Sequence, residues 1–135
     1  MKTLYQILTQ FQTDFAADIP DLVTTAGLTA FEEFVIGPSR KAQELALCVY
    51  KDEYFKDDLS ARLSLIFQAQ LYGQKFTDAV KYEDLILNYL SEYNPEEIGY
   101  NVLESVTSDT WPMEQSQGVI IYFIVTYSAQ LDGCD

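Results

Sequence analysis

Four carboxylates between residues 52 and 58, Asp52, Glu53, Asp57 and Asp58, form the densest set of hard oxygen donors in the chain. Such donors suit Mg²⁺ or Ca²⁺. The stretch lacks the glycine and the spaced Asp/Asn pattern of a calcium loop, so it reads as a solvated hairpin tip. Gly37-Pro38-Ser39-Arg40-Lys41 is the basic cluster. It has the glycine but not the spacing of a phosphate-binding loop, and turn chemistry accounts for it. Histidine is absent, which removes the usual base of a catalytic triad. No Cys-x-x-Cys pair offers a zinc site. Carboxylate pairs of the glycosidase kind carry no sequence spacing that would mark them. The residues therefore give no catalytic site, no cofactor site and no metal site.

What remains is surface that suits a protein partner. Trp111 lies beside Pro112 and Met113 in a polar segment, and Trp is enriched in binding hot spots. Tyr54 and Phe55 sit within the acidic stretch. The candidate interface is thus Asp52, Glu53, Tyr54, Phe55, Asp57, Asp58, Trp111 and Met113. Acids outnumber bases 21 to 8, for a net charge of −13. That charge argues against binding a nucleic-acid backbone or an anionic membrane, both of which need clustered Lys and Arg. It fits simple solubility, or a surface that repels or imitates DNA. Cys48 lies in an apolar run and reads as a small buried hydrophobe. Cys134 is close to the C-terminus, and a disulfide between the two is not expected in a reducing compartment. The first ten residues lack the apolar core of a signal peptide, which points to an intracellular protein.

The elements that position these residues follow from periodicity. Gly118 to Leu131 is a long strand of β-branched and aromatic residues. Its first half is apolar on both faces, which predicts cover on both. Leu59 to Tyr72 alternates without a miss through Leu59, Ala61, Leu63, Leu65, Phe67, Ala69 and Leu71, leaving Arg62, Ser64, Gln68, Gln70 and Tyr72 on a polar, nearly uncharged face. Residues 43 to 50 read as its hairpin partner across a charged break at 51 to 58, although Lys41 to Leu47 also suits a helix, and residues 31 to 36 form a short strand ended by Gly37-Pro38. A helix spans residues 3 to 18 on Leu4, Ile7, Leu8, Phe11 and Phe15, capped by Thr3 and stopped by Pro20 and Asp21. A second helix, capped by Thr77 or Asp78, runs to about Tyr93 on Tyr82, Ile86, Tyr89, Leu90 and Tyr93. Asn94-Pro95 opens one further turn. Residues 98 to 106 return to strand through Tyr100, Val102, Glu104 and Val106, and 107 to 117 is a loop. The fold class is α+β, a single domain over residues 1–135, with an antiparallel sheet of four to five strands and two helices packed on one face.

This element order, with Ile66-Phe67-Gln68-Ala69-Gln70-Leu71-Tyr72-Gly73, then Tyr82-Glu83-Asp84-Leu85-Ile86, and the closing Gln130-Leu131-Asp132, resembles the tail terminator (tail completion, head–tail joining) proteins of long-tailed bacteriophages and prophages. The resemblance covers about residues 3 to 131. It implies a structural protein, not an enzyme, made in the host cytoplasm and built into the virion tail. Such proteins form a ring, commonly a hexamer, that caps the tail tube protein and joins it to the head connector protein. The ring implies an acidic lumen through which DNA passes without sticking, and no specific nucleic-acid or membrane partner. The alternative is a small acidic binding protein, of inhibitor or immunity type, that masks a basic partner. An enzyme working through carboxylates alone is a third reading, and it requires a deep pocket with clustered Asp and Glu.

Overall fold

In the computed structural model, which describes residues 2–38, 43–113 and 117–131, five strands form one sheet in the order β1-β2-β3-β5-β4. The strands are β1 (Glu33–Ile36), β2 (Leu45–Lys56), β3 (Ser60–Tyr72), β4 (Val102–Pro112) and β5 (Gly118–Gln130). Two helices, α1 (Leu4–Thr25) and α2 (Phe76–Glu92), pack on it, and a 3-10 turn spans Pro95–Ile98. The α+β class is as the periodicity predicts. The sheet is antiparallel except at one edge, where β1 runs parallel to β2 from Glu33↔Ala46 to Ile36↔Val49.

The centre of the sheet is the β3–β5 pair, unbroken from Ser60↔Gln130 to Tyr72↔Gly118. One alternation of each strand is dry. Leu63, Leu65, Phe67, Ala69 and Leu71 of β3 and Val119, Ile121, Phe123, Val125 and Tyr127 of β5 are buried beneath the helices, in one continuous core. Phe11 and Phe15 of α1 meet Phe67 edge-on, with ring centroids 5.0 and 5.3 Å away. Edge-to-face geometry lets the positive ring edge meet the negative ring face, which adds to the gain from burial alone.

The first helix is longer than its sequence suggests. Thr3 does cap it, accepting from Gln6 N–H while the Gln6 side chain accepts from Thr3 N–H. Pro20 and Asp21 do not stop it, because the buried stripe continues through Ile19 and Val23. Pro20 removes the hydrogen bond to the Ala16 carbonyl, but Ala16 is exposed and water can serve that oxygen. The true stop is Gly27 at φ +74, where Gly27 N–H donates to Thr24 and Leu28 N–H to Val23. This is a Schellman ending, which favours glycine at the left-handed position.

Three further expectations are corrected. Thr77 and Asp78 lie inside α2, whose N-cap is Lys75 without a side-chain cap bond. Residues 51 to 56 are strand, not break, so the turn is confined to 57–59. Residues 107 to 112 are strand as well, which leaves a short connection before β5. A bulge at Glu104 also breaks the expected alternation: Val102 pairs with Ser128 on the outer face, while Val106 pairs with Val125 and packs on the core.

The helices also hold tyrosines against carboxylates. Tyr89 Oη donates to Asp18 Oδ2 at 2.8 Å and Tyr93 Oη donates to Asp14 Oδ2. Burial is the main cause that pushes both phenols upward, reinforced by those hydrogen bonds and by the nearby negative charge. Burial also pushes Tyr100 up to about 12, and Tyr127 further up. A phenol raised above its unfolded value of about 10 keeps its proton in the native state after the unfolded chain has lost it. Stability from these groups is therefore complete below about pH 10 and declines as pH rises beyond it. Urea midpoints measured on either side of pH 10 are expected to fall together with the appearance of tyrosinate absorbance. Tyrosinate appearing at full amplitude with the fold intact would contradict this.

Candidate protein interface

Both helices sit on one side of the sheet, and no described element covers the other. This second face carries Tyr50 from β2, Ile66 from β3, Ile120, Tyr122 and Ile124 from β5, and Trp111 from β4, as the strand registers place them. The cover predicted for both faces of β5 is incomplete among the described residues: Ile120 and Tyr122 are half-buried, Ile124 is 40% exposed, and Trp111 of the neighbouring β4 is 56% exposed. Apolar side chains contiguous in this way on an exposed sheet mark a contact surface more often than scattered ones do.

The polar groups of this face largely satisfy one another. Ser64 Oγ and Thr126 Oγ1 lie 3.0 Å apart, Tyr50 Oη donates to Gln68 Oε1 at 3.1 Å, and Gln70 Nε2 donates to the Glu44 carbonyl at 3.1 Å. Ser64, Gln68, Gln70 and Thr126 are buried. Polar groups bonded laterally within the sheet lose little when water is displaced from above, which removes one main cost of covering the face. The charged side chains of this face, Glu53, Arg62, Glu104 and Asp109, lie around its apolar centre. Arg62 pairs with Glu104 at 3.6 Å, both side chains well exposed, and Trp111 Nε1 donates to Asp109 Oδ2 at 3.1 Å.

The residues singled out from sequence fall into two groups that the fold does not bring together. Asp52, Glu53, Tyr54 and Phe55 belong to the far half of β2, and Asp57 and Asp58 form the hairpin tip. A bulge at Asp52 shifts the register, so Glu53 and Phe55 lie opposite Ser64 and Arg62 on the open face, while Tyr54 lies opposite Leu63 on the helix side. Asp57 Oδ1 accepts from the N–H groups of Leu59 and Ser60, both at 2.8 Å, which fixes the turn and holds its carboxyl below the ordinary carboxylate range. Trp111 is at the opposite end of the sheet, paired with Ile120, and Met113 N–H donates to the Gly118 carbonyl. Trp111 is therefore on a strand at the sheet edge, not in a loop.

Beyond Val49, the outer edge of β2 is unpaired among the described residues. Lys51, Asp52, Glu53 and Lys56 occupy it, and such charges discourage indiscriminate strand addition. Ser39, Arg40, Lys41 and Cys134 lie outside the described residues, as do 114–116 and Asp132. Cys48 is buried. Among the described residues, no group of three or more His, Cys, Asp and Glu side chains converges as metal ligands. Among the described residues, no helix is long and apolar enough to cross a membrane. The apolar members of the open face, Ile66, Ile120, Tyr122 and Ile124, were not in the sequence-derived interface. Their signal was the apolar character of both alternations of β5. No protein-family model matches the chain, and no curated protein matches it.

Proposed function

We propose that this chain is a non-catalytic assembly protein of the kind seen in bacteriophage tail terminators. Copies join in a ring, near six, that closes the end of a tail tube and offers its surface to a head connector. Assembly takes place in the host cytoplasm. The observation that carries this reading is the sheet face that no described element covers. It is apolar and aromatic, its polar groups are bonded within the sheet, and it belongs to a chain of net charge −13. A strongly acidic protein repels its own copies over most of its surface, so self-association needs a region low in charge. The centre of the open face, around Ile66, Ile120, Tyr122 and Ile124, supplies one. The remaining acids suit the passage of DNA through a ring without adhesion.

Native mass measured by sedimentation across a concentration series tests the reading. The wild-type chain is expected to form a closed oligomer. Ile124→Asp, which places a carboxylate on the open face, is expected to keep the fold and weaken assembly by about tenfold or more. A chain that stays monomeric throughout would contradict the proposal and direct attention to the alternative, a monomer that masks a basic protein.

A further inference from the structure

Two surface features at opposite ends of β3 are opposite in kind, an apolar recess beside a lysine and an apolar projection beside carboxylates. At the Tyr72 end lies a groove of about 580 Å³, lined by Tyr72, Gln74, Lys75, Phe76, Pro112 and Val119 among others. Among the described residues no carboxylate lines it, although the chain has 21 acids and 8 bases. Phe76 is 56% exposed, and Lys75 forms no salt bridge among the described residues. The groove is thus an apolar recess with one ammonium at its rim, in a surface that is otherwise acidic.

At the other end is the β2–β3 hairpin tip. The hydrogen bonds to Asp57 hold the turn, and Asp58 and Leu59 project from it, Leu59 at 66% exposed. Phe55 stands close behind on the open face. The tip is an apolar wedge flanked by a carboxylate. It lies the full length of β3 from the groove, roughly 40 Å at about 3.3 Å per residue, so no chain can fill its own groove with its own tip.

We propose that the β2–β3 hairpin tip of one copy docks in the Lys75–Phe76 groove of a second copy, with Leu59 against the apolar lining and Asp58 against Lys75. The contact joins unlike surfaces of identical chains, so it repeats from copy to copy and closes into a ring when the rotation per step allows. The partner is a second copy because both complementary halves are on the same molecule. This inference rests on the assembly function proposed above and adds a second contact to the open face.

A charge exchange tests it. Lys75→Glu and Asp58→Lys are each expected to raise the dissociation constant of assembly by about tenfold or more, because like charges then face each other. Neither side chain supports the fold, so thermal melts should match the wild type. Lys75→Glu and Asp58→Lys in the same chain restore opposite charges across the contact and are expected to restore assembly. An equal mixture of the two single variants is expected to regain assembly in alternating order, since the tip of each variant then meets an oppositely charged groove on the other. If the wild type assembles and both single variants assemble equally well, the tip–groove contact is wrong while the assembly function survives. A wild-type chain that is monomeric at every concentration overturns both.

Discussion

Phe67→Ala is expected to destabilise the protein by about 3 to 5 kcal/mol, the range for emptying a buried phenylalanine site. Phe67 is fully buried at the middle of β3, opposite Val49 on one side and Phe123 on the other. The rings of Phe11 and Phe15 close over it from α1. Collapse into the vacated space would require the sheet and helix to approach, but both are held by long backbone ladders and by the remaining core. The cavity therefore persists, and its cost adds to the lost burial. Denaturant titration would show a lower midpoint with an unchanged slope. A loss below about 1 kcal/mol would mean that α1 does not pack on the centre of β3.

Gly118→Ala is expected to cost about 3 kcal/mol, through backbone geometry instead of apolar burial. Gly118 opens β5 at φ +149, a conformation that side-chain-bearing residues rarely adopt. A Cβ there would fall 2.2 Å from the Leu71 carbonyl oxygen and 3.0 Å from Tyr72 Cα. Those are backbone atoms at the end of β3, and they cannot yield without disrupting the β3–β5 pairing that carries the fold. Gly73→Ala is the control. Gly73 also has a positive φ, +75, but an added Cβ meets nothing within 4 Å. It should cost only the left-handed strain, about 1 to 2 kcal/mol. Equal losses at the two sites would show that strain alone matters and that the close approach at Leu71 is relieved.

Strong periodicity made most of the fold legible. Alternating matches from Leu59 to Leu71, six of them within β3 and the first in its turn, and the unbroken run of β5 identified the two central strands, and the stripe from Leu4 to Phe15 identified α1. The errors share a cause. Pro20, the acids at 51–58 and the polar residues at 107–112 are punctuation in a sequence, but each sits where the structure tolerates it. Pro20 frees a carbonyl on the exposed side of a helix. The acids occupy a strand edge that faces water. Thr107 to Pro112 form the outer edge of the sheet, where only one side needs hydrogen bonds and Pro112 at the end forfeits little. Bulges at Asp52 and Glu104 were illegible, since an extra residue has no signature beyond the phase shift it causes.

The candidate interface was half legible. Phe55, Trp111 and the acidic tip were visible as residues that fit no core pattern. The open face itself was hidden in a correct observation, that Ile120, Tyr122 and Ile124 give β5 a second apolar side. Among the described residues that side is covered only in part, and a strand's own sequence cannot say whether its cover comes from the same molecule or from another.

The most direct measurement is the native mass of the wild-type chain by sedimentation, from micromolar concentrations upward. The account predicts a reversible shift from the 15.4 kDa chain to one closed species of about six copies, with no open-ended growth beyond it. A single 15.4 kDa species at every concentration would contradict it.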